Sequence, residues 1–242
     1  MTGDQEKSGI RQAIRNLVPE PLLRERDIMS RLGPKARVVY ARLKLLDSLG
    51  VRSQNTRFLG PNPHFVIFVC FGNIMRSPMA EALFRKAALE ADLTDVEVSS
   101  AGLHAIPGRE AHPWALCAAA EMGLPLTEHR ARRLTPDMVS RADSIFAMDL
   151  QNKAELLASY PESRKKILML SAFADGKARD REIPDPYFGN LDTTRGCYVT
   201  LQTCILNLTA ALVALRTTRV PPKTPSGPST RKGHQQADIA HR

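Results

Sequence analysis

Cysteine is scarce in this chain of 242 residues, which has four, at positions 70, 117, 197 and 204. No two of them form a Cys-x-x-Cys pair or the spacing of a zinc ribbon. Small domains held together by disulfide bonds carry far more cysteine for their length. The sequence therefore excludes a disulfide scaffold and predicts a cytoplasmic protein, kept in a reducing compartment, with no bound metal.

Long apolar runs and a secretory signal are also lacking. No apolar run is expected to reach the roughly 20 residues that span a bilayer. The first residues, MTGDQEKSGIRQ, contain acids where a signal peptide has an apolar stretch. We therefore expect no transmembrane segment. With 43% hydrophobic and 24% charged residues, the chain is expected to fold around a core.

Acidic residues are in deficit overall, and the net charge is +9, but the deficit is confined to the two ends. Residues 1–60 have 12 Lys and Arg against 6 Asp and Glu, and residues 216–242 have 6 against 1. Residues 61–215 have 16 against 18. The basic ends are predicted to contact a partner or an anionic surface. Nucleic acid is not expected, because the only aromatic residues in these ends are Tyr40 and Phe58.

Composition divides the chain at the same places. Residues 1–60 are predicted to be a basic, partly helical N-terminal extension, since apolar and basic residues interleave before Gly50. Its helix is expected to pack on the core or on a second subunit, and contact with an anionic membrane surface is the alternative. Residues 61–216 are predicted to form the globular domain. Residues 217–242 are rich in Pro, Ser and Gly and are predicted to be a disordered basic tail.

Apolar runs alternate with helical periods from residue 64 onward. The runs 64–70, 96–100, 144–148 and 167–170 predict four strands, the first buried on both faces. Strands that alternate with helices form parallel sheets. We therefore predict an α/β fold, a four-stranded parallel sheet flanked by helices in a Rossmann-like three-layer arrangement. Ligands bind such sheets at the carboxyl ends of the strands, so the loop after Cys70 is the first candidate site.

The loop CFGNIMRSP has Cys at its first position and Arg six residues later. It leads from a buried strand into a helix, so its backbone N–H groups can converge on an anion. Gly72 and Asn73 tolerate the left-handed backbone that such a loop requires. Cys70 is then predicted to be a thiolate nucleophile, with Arg76 as the phosphate ligand and Ser77 as a hydrogen-bond donor to the sulfur.

A phosphatase that uses this loop needs a second group to protonate the departing oxygen. Asp185 is the candidate, because Pro184 and Pro186 fix the backbone of the turn EIPDPYFG on both sides. Asp180 and Asp192 lie nearby without that framing. Asp185 is predicted to act as the acid in the first step and as the base that activates water in the second.

Residues 64–215 resemble the low-molecular-weight protein tyrosine phosphatases. The shared motifs follow the family's order: CFGNIMRSPMAEA, SSAGLHAIPG, EHRARRL, MDLQN and IPDPYFG. The resemblance implies a fold like that of phosphotyrosine protein phosphatase I. It also implies that the protein has no metal or organic cofactor and that its substrate is a phosphotyrosine-containing protein. It also implies hydrolysis through a cysteinyl-phosphate, with Cys70, Arg76 and Asp185 in the roles given above.

The resemblance also assigns residues around the nucleophile. Substrate-binding positions are Phe71, Gly72, Asn73, Ile74, Met75, Ser77, Ile106 and Tyr187. Supporting positions are Ser99, Ser100 and His129. The sequence departs from the family where a rim aromatic becomes Ile106 and where a Tyr-Tyr pair becomes Tyr187-Phe188. Both departures reduce the aromatic contacts expected for a phosphotyrosine ring, so the preference of the enzyme among phosphomonoester substrates stays open.

Three other functions are open on the same loop. Arsenate reductases of this fold need two more cysteines near the turn after the third strand, and residues 143–161 contain none. Protein-arginine phosphatases carry Thr where this loop has Ile74, whose apolar side chain favours an aryl ester. A non-catalytic phosphate-binding module needs no acid, so the combination of Cys70, Arg76 and Asp185 favours an enzyme.

Overall fold

A four-stranded parallel sheet forms the centre of the protein. The computed structural model describes residues 20–51, 59–60, 63–176 and 182–217. The strands are β1 (Phe65–Cys70), β2 (Glu97–Gly102), β3 (Ser144–Ala147) and β4 (Ile167–Met169). All neighbours are parallel, in the order β2-β1-β3-β4. The predicted fold class is confirmed, and each predicted strand lies within two residues of the observed one.

Strand β1 is central because both of its faces are apolar. All six of its residues are buried. On one face Phe68 stacks against Phe146 of β3, with ring centroids 5.5 Å apart. At the carboxyl end of the strand Cys70 lies opposite Gly102 of β2. This register brings the loops after β1 and β2 together at one edge of the sheet.

Helices cover both faces and complete three layers. They are α1 (Glu20–Arg31), α2 (Pro34–Ser48), α3 (Arg76–Glu90), α4 (Pro113–Glu121), α5 (Pro136–Arg141), α6 (Leu150–Ser159) and α7 (Leu191–Thr217). Short 3-10 helices follow at Pro161–Lys166 and Leu170–Phe173. Helices α3, α4 and α7 pack on one face, and α2, α5 and α6 on the other. The sequence did not predict α1 or α5.

The N-terminal helices share the hydrophobic core of the domain. Leu32, Ala36, Tyr40 and Leu43 are buried at helical spacing, and α2 packs along α6. The predicted extension is thus an integral layer of the fold over residues 20–48. Residues 1–19, 52–58 and 218–242, which include nearly all of the predicted tail, lie outside the described residues.

Helix α7 corrects the sequence-based statement about apolar runs. Its residues 196–215 carry no charge, and within the described part of the chain it is the one helix long and apolar enough to cross a membrane. One such helix is weak evidence, because core helices pass the same test. Its buried residues recur at intervals of three or four, the spacing of a helix that packs one face on a core: Cys197, Leu201, Cys204, Leu208 and Leu212.

Candidate active site

The loop between β1 and α3 has its carbonyl groups turned outward. Neighbouring elements bond to five of them: Leu103 N–H to Cys70 O (3.0 Å), His104 N–H to Phe71 O (2.8 Å), His129 Nε2 to Asn73 O (2.7 Å), His112 N–H to Ile74 O (2.9 Å) and Tyr198 O–H to Met75 O (3.2 Å). The N–H groups are therefore left on the inner side, and Asn73 N–H points to Cys70 Sγ at 3.3 Å. Such a ring of inward N–H groups holds an anion.

Asn73 fixes the shape of this loop. It has a left-handed backbone, with φ 53°, a conformation that Asn adopts more readily than most residues. Its amide nitrogen donates to Ser77 Oγ and to Ser100 Oγ, both at 2.9 Å, and its amide oxygen accepts from Arg132 N–H at 2.9 Å. Gly72, predicted to share that backbone, does not have a positive φ. The whole side chain of Asn73 is thus used to hold the loop in one conformation.

His129 supports the same residue from outside. Asn73 O can only accept, so His129 Nε2 carries the proton of that 2.7 Å hydrogen bond. Burial, and secondarily the nearby Arg132, lowers the pKa of His129, while the bond to Asn73 O opposes this shift. A neutral imidazole with its hydrogen on Nε2 is therefore the form that braces the loop.

Gly102 allows β2 to approach the loop. A Cβ at this position would lie 2.8 Å from both Asn73 N and Phe71 O, closer than side-chain carbons approach backbone atoms. Gly102 belongs to the SSAGLHAIPG motif, but no role was predicted for it from the sequence. The feature that could have indicated its role is a glycine at a strand end beside the nucleophile loop, because glycine often marks a place where another backbone segment approaches closely.

Cys70 and Ser77 are in contact at the base of the cavity. Cys70 Sγ lies 3.0 Å from Ser77 Oγ, and Cys70 is 4% exposed. Because Ser77 Oγ accepts from Asn73, its own hydrogen is available to the sulfur or to Ala101 O at 3.3 Å. Ser77 is the second residue of α3, whose N-cap is Met75. It is placed to stabilise a thiolate at Cys70.

Arg76 lies at the floor of the cavity, 2% exposed, between two carboxylates. Its Nη1 donates to Asp149 Oδ2 at 2.6 Å and to Ile183 O at 3.1 Å, and its Nη2 donates to Asp185 Oδ2 at 2.8 Å. Burial alone would lower the pKa of Arg76, but Asp149 and Asp185 raise it. The guanidinium is therefore a permanent cation whose orientation is fixed.

Asp149 is a functional residue that sequence analysis missed. It is the N-cap of α6, where its Oδ1 accepts from Asn152 N–H at 2.7 Å, and its Oδ2 binds Arg76. The MDLQN motif could have indicated this role. An Asp that follows β3 and caps the next helix lies at the same edge of the sheet as Cys70. Asp149 couples the position of Arg76 to helix α6.

We expect Asp149→Asn to lower kcat/KM for an aryl phosphate by about tenfold, the lower end of what losing a charge-assisted hydrogen bond costs. The amide oxygen can still cap α6, so the melting temperature should fall much less than for Asp149→Ala. Steady-state kinetics and thermal melts of both variants test this. Wild-type kcat/KM in Asp149→Asn would contradict a role in holding Arg76.

Asp185 enters the cavity from the segment before α7. Its Oδ1 accepts from Tyr187 N–H at 3.2 Å, which fixes the turn, and its Oδ2 reaches Arg76. The side chain is 38% exposed and lines the same cavity of about 230 Å³ as Cys70. The structure thus brings Cys70, Arg76 and Asp185, the three predicted catalytic residues, to one cavity.

The rim of the cavity is partly aromatic. Tyr187 is 39% exposed and contacts Phe188 edge-on, with ring centroids 4.9 Å apart, while Phe71 stacks on His104 at 4.6 Å. Ile106 lines the rim and is 63% exposed. Phe71, Gly72, Ile74 and Met75 also line the cavity, as predicted for substrate-binding residues, and Asn73 and Ser77 lie directly behind it.

The two supporting serines have different positions. Ser100 accepts from Asn73, whereas Ser99 is buried in β2 and makes no hydrogen bond to the loop among the described residues. Successive residues of a strand point to opposite faces of the sheet, so only one of two adjacent serines can reach the loop. Ser99 is therefore a residue of the sheet rather than of this network.

Chemically, the cavity offers a buried thiol, a fixed cation, inward N–H groups and a carboxylate. Within the described ranges no cluster of three or more His, Cys, Asp or Glu side chains is placed to hold a metal ion. The loop N–H groups and Arg76 can donate hydrogen bonds to a tetrahedral anion in the cavity that Cys70 and Asp185 also line. This is the arrangement for nucleophilic displacement at phosphorus with proton transfer to the leaving group.

Comparison with known proteins agrees with this geometry. A model of the family described as low molecular weight phosphotyrosine protein phosphatase matches residues 65–217. The probable low molecular weight protein-tyrosine-phosphatase EpsP of Ralstonia nicotianae is 40% identical over 122 residues, 50% of this chain and 77% of that protein. A protein-arginine-phosphatase of Bacillus subtilis is 38% identical over 127 residues, 52% of this chain and 82% of that protein.

A solved structure extends the likeness to the fold. A mutant of the arginine phosphatase YwlE with a phosphorylated active-site serine in place of cysteine is 33% identical, with a TM-score of 0.56. The match covers 61% of this chain and 95% of that one. Since the matched family model spans more than half of the sequence, this chain belongs to the low molecular weight phosphotyrosine protein phosphatase family and is a phosphatase.

Proposed function

We propose that this protein is a protein tyrosine phosphatase that hydrolyses phosphotyrosine monoesters through a cysteinyl-phosphate. One observation carries the proposal: the sulfur of Cys70, the guanidinium of Arg76 and the carboxylate of Asp185 line one cavity. A protein that only binds phosphate has no use for a carboxylate facing the anion, which repels it. An enzyme needs that group to carry a proton.

In the first step the phosphate occupies the loop and Arg76. The thiolate of Cys70 attacks phosphorus, an S–P bond forms and the P–O bond to the tyrosine oxygen breaks. Asp185, protonated, gives its proton to the departing phenolate oxygen. Because Arg76 Nη2 donates to Asp185 Oδ2 in the structure, a substrate phosphate must take the place of this carboxylate to bind Nη2. The displaced carboxylate takes up a proton from the substrate monoanion or from solvent, and the resulting carboxyl group is the acid for the leaving oxygen.

In the second step water hydrolyses the cysteinyl-phosphate. Asp185, now ionised, takes a proton from the water as its oxygen attacks phosphorus, and the S–P bond breaks. Ser77 donates a hydrogen bond to the departing thiolate, with its Oγ 3.0 Å from the sulfur. Inorganic phosphate leaves, and Asp185 and Cys70 return to their starting protonation states.

The choice of a tyrosine substrate rests on the walls of the cavity. Ile74 and Ile106 offer apolar surface, and Tyr187 offers an aromatic face, all to the same space. A phenyl ring gains from such contacts, whereas a phosphorylated guanidine would bury N–H groups against hydrocarbon. Arginine phosphatase is the second candidate, because proteins of that name match this chain nearly as well as tyrosine phosphatases do.

A substrate comparison tests the proposal. We expect wild-type kcat/KM for a phosphotyrosine peptide to exceed that for the matching phosphoarginine peptide at least tenfold, about the effect of one unpaired buried polar group. Ile74→Thr should narrow the ratio by giving the guanidine a hydrogen-bond partner. Ile74→Val, which keeps the wall apolar, is the control. A higher kcat/KM for phosphoarginine in the wild type would instead establish the second candidate.

Arsenate reduction is disfavoured by the remaining cysteines. Cys197 and Cys204 are buried in α7, and burial raises the pKa of each thiol to about 12, so neither is a ready nucleophile. Cys117 is exposed on α4. The loop itself has Met75 beside the catalytic positions rather than a second thiol. A relay of thiols from Cys70 therefore has no obvious next member in the described structure.

The setting proposed for the enzyme is the cytoplasm. All four cysteines are free, which suits a reducing compartment. Basic residues of the two ends would then contact an anionic partner or surface, since residues 61–215 are themselves nearly neutral. Fluorescence microscopy of the full chain and of a chain lacking residues 218–242 would show whether the tail determines its location.

A further inference from the structure

A residue of the N-terminal helices lies at the mouth of the catalytic cavity. Arg31, the last residue of α1, lines the cavity together with Cys70, and its guanidinium carbon is 5.9 Å from the ring centroid of Phe188. Arg31 lies well before residue 65, where the match to the family model begins. It is thus an addition to the site from outside the matched domain.

The corner between α1 and α2 holds Arg31 in place. Its neighbour Leu32 is 2% exposed and is anchored in the core. Arg37 donates to Leu32 O at 2.8 Å and to Ser30 O at 3.5 Å, so the carbonyls on both sides of Arg31 are tied to one guanidinium. Buried Tyr40 donates to Glu25 at 2.8 Å and fastens α1 to α2. Arg31 is therefore presented from a fixed backbone.

Positive charge at the mouth is uncompensated. Arg109 lines the same cavity as Arg31, and neither forms an ion pair with a carboxylate of the described residues. The two carboxylates that line the cavity, Asp149 and Asp185, are both engaged by Arg76. A chain of ring contacts, from Phe188 through Tyr187 to His112, extends from Arg31 along the rim. The mouth is thus a cationic, partly aromatic surface around an entrance for a dianion.

We propose that Arg31, with Arg109, forms a subsite that binds an acidic side chain next to the phosphorylated residue of the protein substrate. Residues adjacent in a chain are 3.8 Å apart at Cα, so the neighbours of a phosphotyrosine in the cavity must pass over its mouth. A carboxylate there can pair with Arg31 or Arg109, neither of which has a carboxylate partner among the described residues. The inference rests on the proposed function and specifies its substrate class as acidic phosphotyrosine segments.

The experiment compares two phosphotyrosine peptides that differ only at the flanking residues, Asp and Glu in one and Asn and Gln in the other. We expect wild-type kcat/KM to be higher for the acidic peptide, and Arg31→Gln to lower the acidic-to-neutral ratio by about fivefold, the scale of one exposed ion pair. Arg31→Lys should keep most of the ratio, Arg31→Glu should reverse it, and added salt should reduce it.

Arg26→Gln is the matched control, since Arg26 lies on the same helix, pairs with Asp27 at 3.9 Å and does not line the cavity. Its ratio should equal that of the wild type. An unchanged ratio in both Arg31→Gln and Arg31→Glu would overturn the subsite. Failure of the proposed function would look different, because wild-type enzyme would then hydrolyse neither phosphotyrosine peptide in a manner that requires Cys70.

Discussion

Cys70→Ser should lower kcat for an aryl phosphate by a factor on the order of 10⁴–10⁶, the effect of removing the nucleophile from a site whose other groups remain. Cys70 Sγ accepts from Asn73 N–H and contacts Ser77 Oγ, so both neighbours can donate hydrogen bonds to the sulfur as it attacks and as it leaves. A serine hydroxyl does not ionise near neutral pH, and no general base is hydrogen-bonded to the side chain at position 70 among the described residues.

The product of that variant is informative in itself. The related arginine phosphatase structure contains a phosphorylated serine at the active site in place of cysteine. We therefore expect intact-mass measurement of Cys70→Ser, incubated with substrate, to show a phosphate that is released very slowly. Cys70→Ala should show none. A poorer leaving atom, oxygen in place of sulfur, is the reason that the second step then fails.

Cys117→Ser is the matched control for this experiment. Cys117 is exposed on α4 and is outside the cavity, so its replacement removes a thiol without touching the loop. Its kcat/KM should match the wild type. Equal turnover by wild type and Cys70→Ser would exclude the cysteinyl-phosphate mechanism, whatever the substrate.

The sequence predicted the sheet and the nucleophile loop because both depend on local pattern. The six-residue apolar run of β1 needs cover on both faces, and the loop of Cys70 combines a strand end, a left-handed Asn73 and a helix start. These signals lie within about a dozen consecutive residues. The same applies to Asp185, which its flanking prolines single out.

The missed parts depend on contacts between distant segments. Asp149 is 73 residues from Arg76 in sequence, and only the parallel register of β1 and β3 brings them together. In the sequence Gly102 looks like any other glycine at a strand end, and only the fold shows that the backbone of Asn73 lies against it. Arg31 could not be distinguished by sequence from the other basic residues of the extension. Its position at the cavity depends on the packing of α2 against α6, which also places the end of α1, and no local pattern indicates this packing.

Asp185→Asn should slow turnover of substrates with poor leaving groups by about 10²–10⁴-fold, as expected when a general acid is lost. The amide can still accept from Tyr187 N–H and so can keep the turn, but it cannot protonate a phenolate. A nitrophenolate leaves without that proton, so the loss should be much smaller for nitrophenyl phosphate than for phosphotyrosine.

The ion pair between Asp185 and Arg76 adds a second expectation for the same variant. Asp185 Oδ2 accepts a hydrogen bond from Arg76 Nη2 at 2.8 Å, and a phosphate must displace this carboxylate to bind the same nitrogen. Removing the negative charge frees that donor and removes repulsion of the dianion, so inorganic phosphate should inhibit Asp185→Asn at lower concentration than wild type. Asp192→Asn, altering an exposed acid of α7 paired with Arg195, is the control for both measurements. If Asp185→Asn lost rate equally on both leaving groups and bound phosphate no better, Asp185 would be a structural residue of its turn, and the acid would have to be sought elsewhere.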